Sequence, residues 1–166
     1  IILSLSTRAY AQENISSLRA TQLPPNAIWL ESLDLSKMSA GWGEPQAGLS
    51  CEKKPLTLKG VVYPHGVGTH ARSEVLIDLK GVATCFMAMA GLDDERTGAG
   101  SITFQVYVDG KKAADTGVLH GGDSPRPISV DLTGKKRLLL VVGDADDGIT
   151  NDHADWAGAI LFLNEF

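Results

Sequence analysis

From Ile28 onward the dominant period of the chain is two. Ile102, Phe104, Val106 and Val108 are apolar, and Thr103, Gln105 and Tyr107 stand between them. That alternation sends one set to a buried face of a strand and the other towards solvent. Asp109-Gly110 follows directly, a pair suited to the positive-φ turn of a tight hairpin, so residues 111–116 read as the returning strand. Val75, Ile77 and Leu79 alternate with Leu76 and Asp78, and Gly81 ends that run. Residues 85–90, 127–132 and 137–142 give further strands. Residues 157–163 are apolar on both faces, which predicts a central strand. The one helical candidate is short, residues 32–38, with Asp34 or Ser36 as its cap. Brief strands separated by Gly, Asp and Pro turns predict an all-β sandwich in a single domain.

The segment ahead of this body reads differently. Ile1-Ile2-Leu3-Ser4-Leu5 is apolar, and Ala9-Tyr10-Ala11 has the small-x-small form of a signal-peptidase site. Residues 1–11 are therefore expected to be the remnant of a secretory signal, although no charged n-region precedes them and Arg8 sits close to the cut; a short strand is the competing reading. This apolar stretch is too short to span a bilayer. Residues 12–26 are polar, include Leu23-Pro24-Pro25 and read as a linker, leaving 27–166 as the folded module.

Composition narrows the class. Of 166 residues 43% are hydrophobic and 21% charged, ordinary values for a globular domain with a core. The net charge of −5 and the lack of a basic stripe argue against nucleic acid as a partner. Cys51 and Cys85 form no metal-type spacing. A disulfide between them is one reading; the other is that Cys85, in the run Cys85-Phe86-Met87-Ala88, is a small hydrophobe.

Polar residues collect in four segments, around His65 and His70, around Asp93 to Glu95, around His120 to Asp123, and from Gly143 to Trp156. Asp93, Asp94 and Glu95 are adjacent, whereas a glycosidase needs two carboxyl groups facing each other across a sugar, so acidic turns fit them better. No Gly-x-Ser-x-Gly and no His-Glu-x-x-His occurs, and the four histidines are scattered singly, so His65 and His120 read as structural hydrogen-bonders. Asp144, Asp146 and Gly148 echo the spacing of a calcium loop without the bidentate acid that completes one, leaving structural calcium as an open reading and no other cofactor expected. Sugar binding needs planar acceptors, ring nitrogens and an aromatic face for the C–H side of the pyranose. Asn151, Asp152, His153 and Trp156 supply these within six positions, and His70, Asp93 and Asp94 are candidates to converge on them. Two readings of Trp156 stand, sugar platform and core residue. Trp29 and Trp42 read as packing residues.

In order along the chain, Trp29-Leu30-Glu31-Ser32-Leu33, Gly41-Trp42-Gly43, Gly66-Val67-Gly68-Thr69-His70-Ala71, Gly91-Leu92-Asp93-Asp94-Glu95, Gly117-Val118-Leu119 and Asn151-Asp152-His153-Ala154-Asp155-Trp156-Ala157 resemble the NPCBM domain, which overlaps carbohydrate-binding module family 51. The resemblance runs over about residues 28–163. It implies a galactose-binding-like jelly-roll β-sandwich from an exported bacterial glycoside hydrolase of α-galactosidase type, located outside the cell, in the periplasm or at the cell surface. It implies, too, a non-catalytic module that binds galactose-containing glycans on behalf of a downstream catalytic domain. A module that packs on that domain without binding sugar is the alternative expectation.

Overall fold

The computed structural model describes Leu18, Arg19 and residues 21–165 of the chain. The expected signal remnant and the start of the linker, residues 1–17, lie outside the described residues. Twelve strands follow in order: β1 (Ala27–Trp29), β2 (Gln46–Ala47), β3 (Leu56–Leu58), β4 (Val61–Tyr63), β5 (Gly66–His70), β6 (Ser73–Asp78), β7 (Ala83–Leu92), β8 (Ser101–Val108), β9 (Lys111–His120), β10 (Arg126–Asp131), β11 (Arg137–Gly143) and β12 (His153–Leu163). The expected helix at 32–38 is instead a pair of 3₁₀ turns, Leu30–Ser32 and Leu35–Lys37, the second capped by the Asp34 carboxylate on the Ser36 amide. Among the described residues no helix is long and apolar enough to cross a membrane.

Two antiparallel sheets enclose the core. One has the order β10-β7-β12-β5-β2 with β1 added against β12, and the other runs β6-β11-β8-β9. Alternation does the sorting. Ile102, Phe104, Val106 and Val108 of β8, with Leu138, Leu140 and Val142 of β11, face Phe86, Ala88 and Ala90 of β7, Val67 of β5 and Trp156 of β12 in one continuous cluster. Asp109 and Gly110 take φ of 48° and 80°, as the hairpin between β8 and β9 requires.

The outer face of the larger sheet is covered as well. The β3–β4 hairpin sets Leu56, Leu58 and Tyr63 on Ala157, and Leu18, Trp29 and Met87 surround Ile160. β12 is thus buried on both faces, the central position that its apolar run predicts. It also begins four residues earlier than residue 157, because His153 to Trp156 continue the pairing to β5 and Ala154 to Trp156 that to β7. Both cysteines are free thiols, Cys51 buried and Cys85 half-buried, and no disulfide joins them.

Trp156 is 0% exposed and meets Phe104 and Phe86 edge-on, with ring centroids 4.9 and 6.0 Å away. Trp156→Ala is expected to lower the unfolding free energy by about 3–5 kcal/mol, the usual result of emptying an aromatic site in a close-packed core. Trp42→Ala, at an exposed position, is expected to stay within about 0.5 kcal/mol. Urea unfolding of both variants checks the contrast, and equal losses would contradict it.

Candidate functional site

The antiparallel register places His70, the last residue of β5, opposite His153, the first of β12. Their rings meet edge to face at 5.1 Å. Trp42 lies over both, 5.7 Å from His70 and 5.9 Å from His153. Arg96 approaches from the 3₁₀ turn Asp94–Arg96, and Ile149, Thr150 and Asn151 come from the loop before β12. Together these seven residues line a depression of about 320 Å³ at one end of the sandwich.

Trp42 corrects the packing role expected for it. It is 52% exposed and makes the aromatic wall of the depression, whereas Trp156 is sealed in the core. Trp29 does pack, buried and stacked on His65 at 4.2 Å. The glycine before Trp42 explains its position. A Cβ on Gly41 would stand 1.9 Å from the Ala71 carbonyl oxygen, so only glycine lets this loop lie against the end of β5, where the Gly41 amide donates to the His70 carbonyl at 3.2 Å. Gly43, at φ +64°, turns the chain away again.

Hydrogen bonds fix the tautomers. His70 Nδ1 donates to the Ala71 carbonyl at 2.9 Å, which leaves Nε2 as an acceptor. Burial lowers the pKa of His70 and keeps the ring neutral. Arg96 Nε donates to His153 Nε2 at 3.3 Å, so the His153 proton resides on Nδ1 and is donated to Glu95 Oε1 at 2.7 Å. Arg96 is also paired with Glu52. Asn151 holds φ of 65°, and its side-chain amide makes no hydrogen bond to a described residue. The depression therefore offers an aromatic face, a ring-nitrogen acceptor, a guanidinium and a free amide within one shallow surface. Such a set reads hydroxyl groups and a C–H face.

Of the residues expected at the site, His70, Asn151 and His153 meet in the depression. Asp93, Asp94, Asp152 and Trp156 do not line it. Asp93 accepts from the amides of Thr57 at 3.0 Å and Glu95 at 2.8 Å, and Asp94 accepts from those of Lys59 and Gly60, so both carboxylates latch their loop to the β3–β4 hairpin. Asp152 is fully buried, accepts from the Ser101 amide at 3.0 Å, and is pushed up to about 6 by that burial. In the expected calcium loop, Asp144 accepts from Arg72 Nε at 3.0 Å and the Asp146 amide at 3.2 Å, while Asp147 is bonded to Ser101. Among the described residues, the donors gathered closely enough to hold a metal are Cys51, Glu95 and His153. Burial, then the Glu95 carboxylate, push the Cys51 thiol far up, which leaves it inert as a nucleophile. Sequence reasoning missed Trp42, Arg96, Ile149 and Thr150. The signal for Trp42 was its paired glycines, which free a loop to present a side chain as readily as they mark a packed turn.

Asp155, one position inside β12, is wholly buried, and no described donor reaches either of its oxygens. Burial first, then the Asp93 carboxylate beside it, raise its pKa well above 3.8, which favours the protonated form of Asp155. For a carboxyl raised in the folded state, stability is complete below the unfolded value and is lost as the pH rises towards the folded one. Asp155→Asn removes that loss. Its stability relative to wild type is expected to grow as the pH rises from about 4 to 8, measured by urea unfolding at each pH; a difference that shrinks over this range would contradict the assignment.

The family model described as the NPCBM/NEW2 domain matches residues 26–162. A protein of Renibacterium salmoninarum named "Putative endo-alpha-N-acetylgalactosaminidase" is 32% identical over 127 residues, which are 73% of this chain and 8% of that protein. The chain thus spans a small fraction of that relative. Among solved structures, the CBM51 module of Clostridium perfringens GH95 in complex with methyl-galactose superposes with a TM-score of 0.78 at 37% identity, covering 81% of this chain and 99% of that one. CBM51-2 of Clostridium perfringens ZmpB, in complex with GlcNAc, gives a TM-score of 0.78 at 29% identity, covering 84% of this chain and 32% of that one. The architecture is the galactose-binding-like jelly-roll β-sandwich that the sequence resemblance implied.

Proposed function

The chain belongs to the NPCBM/NEW2 domain family, and on that premise we propose that it is a non-catalytic module that binds galactose or galactose-containing glycans at the Trp42 depression. The observation that carries this reading is the exposed Trp42 face set beside His70, His153, Arg96 and Asn151. Galactose carries an axial 4-hydroxyl, so one face of its ring is a continuous C–H patch suited to an indole, while the hydroxyls on its edge reach acceptor and donor nitrogens. The galactoside-bound relative at 37% identity supports the same ligand class. A shallow surface with few immobilised contacts gives weak affinity, roughly sub-millimolar.

The parent protein is read as an exported bacterial glycoside hydrolase acting on α-galactosyl or α-N-acetylgalactosaminyl linkages, in keeping with the relative's name. Tethering then raises the local concentration of substrate near the catalytic domain. The buried carboxylates Asp93 and Asp152 take no part in binding; they hold the loops in place.

Calorimetry with methyl galactoside, and with methyl glucoside as the C4 epimer, tests the reading. Wild type is expected to bind the galactoside and to discriminate against the glucoside. Trp42→Ala and Asn151→Ala are each expected to weaken binding by about tenfold or more, about 1.4 kcal/mol, with thermal unfolding unchanged. Absence of binding to every galactoside would favour a module that only packs on its catalytic domain. Full affinity in Trp42→Ala would remove the site from this depression.

A further inference from the structure

We propose that Cys51, Glu95 and His153 form a site for one divalent transition-metal ion of the zinc class, in the wall behind the Trp42 depression. The three donors come from separate segments: Cys51 from the loop after β2, Glu95 from the 3₁₀ turn Asp94–Arg96, and His153 from the start of β12. Their ligand atoms nevertheless converge. Sγ is 3.0 Å from Nδ1, Nδ1 is 2.7 Å from Oε1, and Sγ is 3.5 Å from Oε1. The side chains of His153 and Glu95 are 4% and 2% exposed.

With protons alone, Glu95 Oε1 accepts twice, from the Nδ1 proton of His153 and from the Cys51 thiol, and the 3.0 Å edge between sulfur and Nδ1 has only a share of that same ring proton. A single cation at the centre satisfies all three atoms together. A sulfur, nitrogen and carboxylate set is the set zinc takes, whereas calcium and magnesium require oxygen. Thiolate, carboxylate and neutral imidazole sum to −2, the complement of a dication. With zinc–nitrogen near 2.0 Å and zinc–sulfur near 2.3 Å, a tetrahedral ion needs its ligands about 3.3–3.6 Å apart, so the triangle has to open by roughly half an ångström.

A surrounding feature points the same way. Glu95 is held in place: Ser50 Oγ donates to Oε2 at 2.6 Å, and the Glu95 amide donates to Asp93. Binding releases the Cys51 thiol proton to solvent and moves the ring proton of His153 from Nδ1 to Nε2. Arg96, a donor itself and 43% exposed, then leaves Nε2 and turns towards Glu52. This ion is independent of whether the depression binds sugar.

The experiment uses the whole chain, reduced and stripped with chelator, titrated with Co(II) and then Zn(II). Co(II) is expected to give a thiolate-to-metal charge-transfer band saturating at one equivalent, and Zn(II) to displace it and raise the melting temperature. Cys51→Ser is expected to abolish the band, and Cys85→Ser to retain it. Histidine ring ¹⁵N spectra of wild type keep the test independent of any variant's folding: Zn(II) is expected to shift Nδ1 of His153 and leave His120 in place. No band with wild type, a band lost in Cys85→Ser but kept in Cys51→Ser, or an unmoved His153 Nδ1 resonance would each overturn the site.

Discussion

The structure turns on the first four residues of β12, which all pair with β5 and, from Ala154 on, with β7 as well. Pairing on both sides leaves them no choice of face. Ala154 and Trp156 point into the sandwich, and His153 and Asp155 point to the opposite face, beneath the loops that carry Cys51 and Glu95. A period of two therefore divides one short polar segment into a core anchor and a buried polar cluster. The register of His153 against His70 then decides which two rings stand together at the end of the sheet.

The rest of the site is assembled on that frame by side-chain-to-backbone bonds. Asp93 and Asp94 hold the β3–β4 hairpin, and Asp152 holds the start of β8 through Ser101. These carboxylates are expensive to bury, which is why burial raises Asp152 and Asp155 while the few available amides go to Asp93 and Asp152. The surface left for a ligand consists mainly of neutral or cationic groups and one indole. Acidic composition and acidic site are thus separate matters in this module: its buried acids are framework.

Strand existence was legible because alternation at β8 and β11 and the Asp109-Gly110 turn are local signals. The early start of β12 was not, since a strand with polar residues on a covered outer face looks like a loop until the hairpin that covers it is known. The same difficulty governed the site. His70, Asn151 and His153, expected from the sequence, do meet in one depression; Asp93, Asp94 and Trp156 share their chemistry but are directed elsewhere by tertiary contacts. A tryptophan between glycines carries no sign of its direction, so the sequence alone leaves Trp42 looking like a packing residue. Its exposure follows from one contact, Gly41 against the Ala71 carbonyl, that sequence spacing cannot announce.

The most direct measurement is an NMR titration of the ¹⁵N-labelled protein with methyl galactoside, read at the indole N–H signals of its three tryptophans. Trp42 is predicted to shift progressively and saturably, together with the Asn151 amide, while the signals of Trp29 and Trp156 stay fixed. A shift confined to Trp29 or Trp156, or saturable binding that leaves Trp42 unmoved, would contradict the placement of the sugar on Trp42.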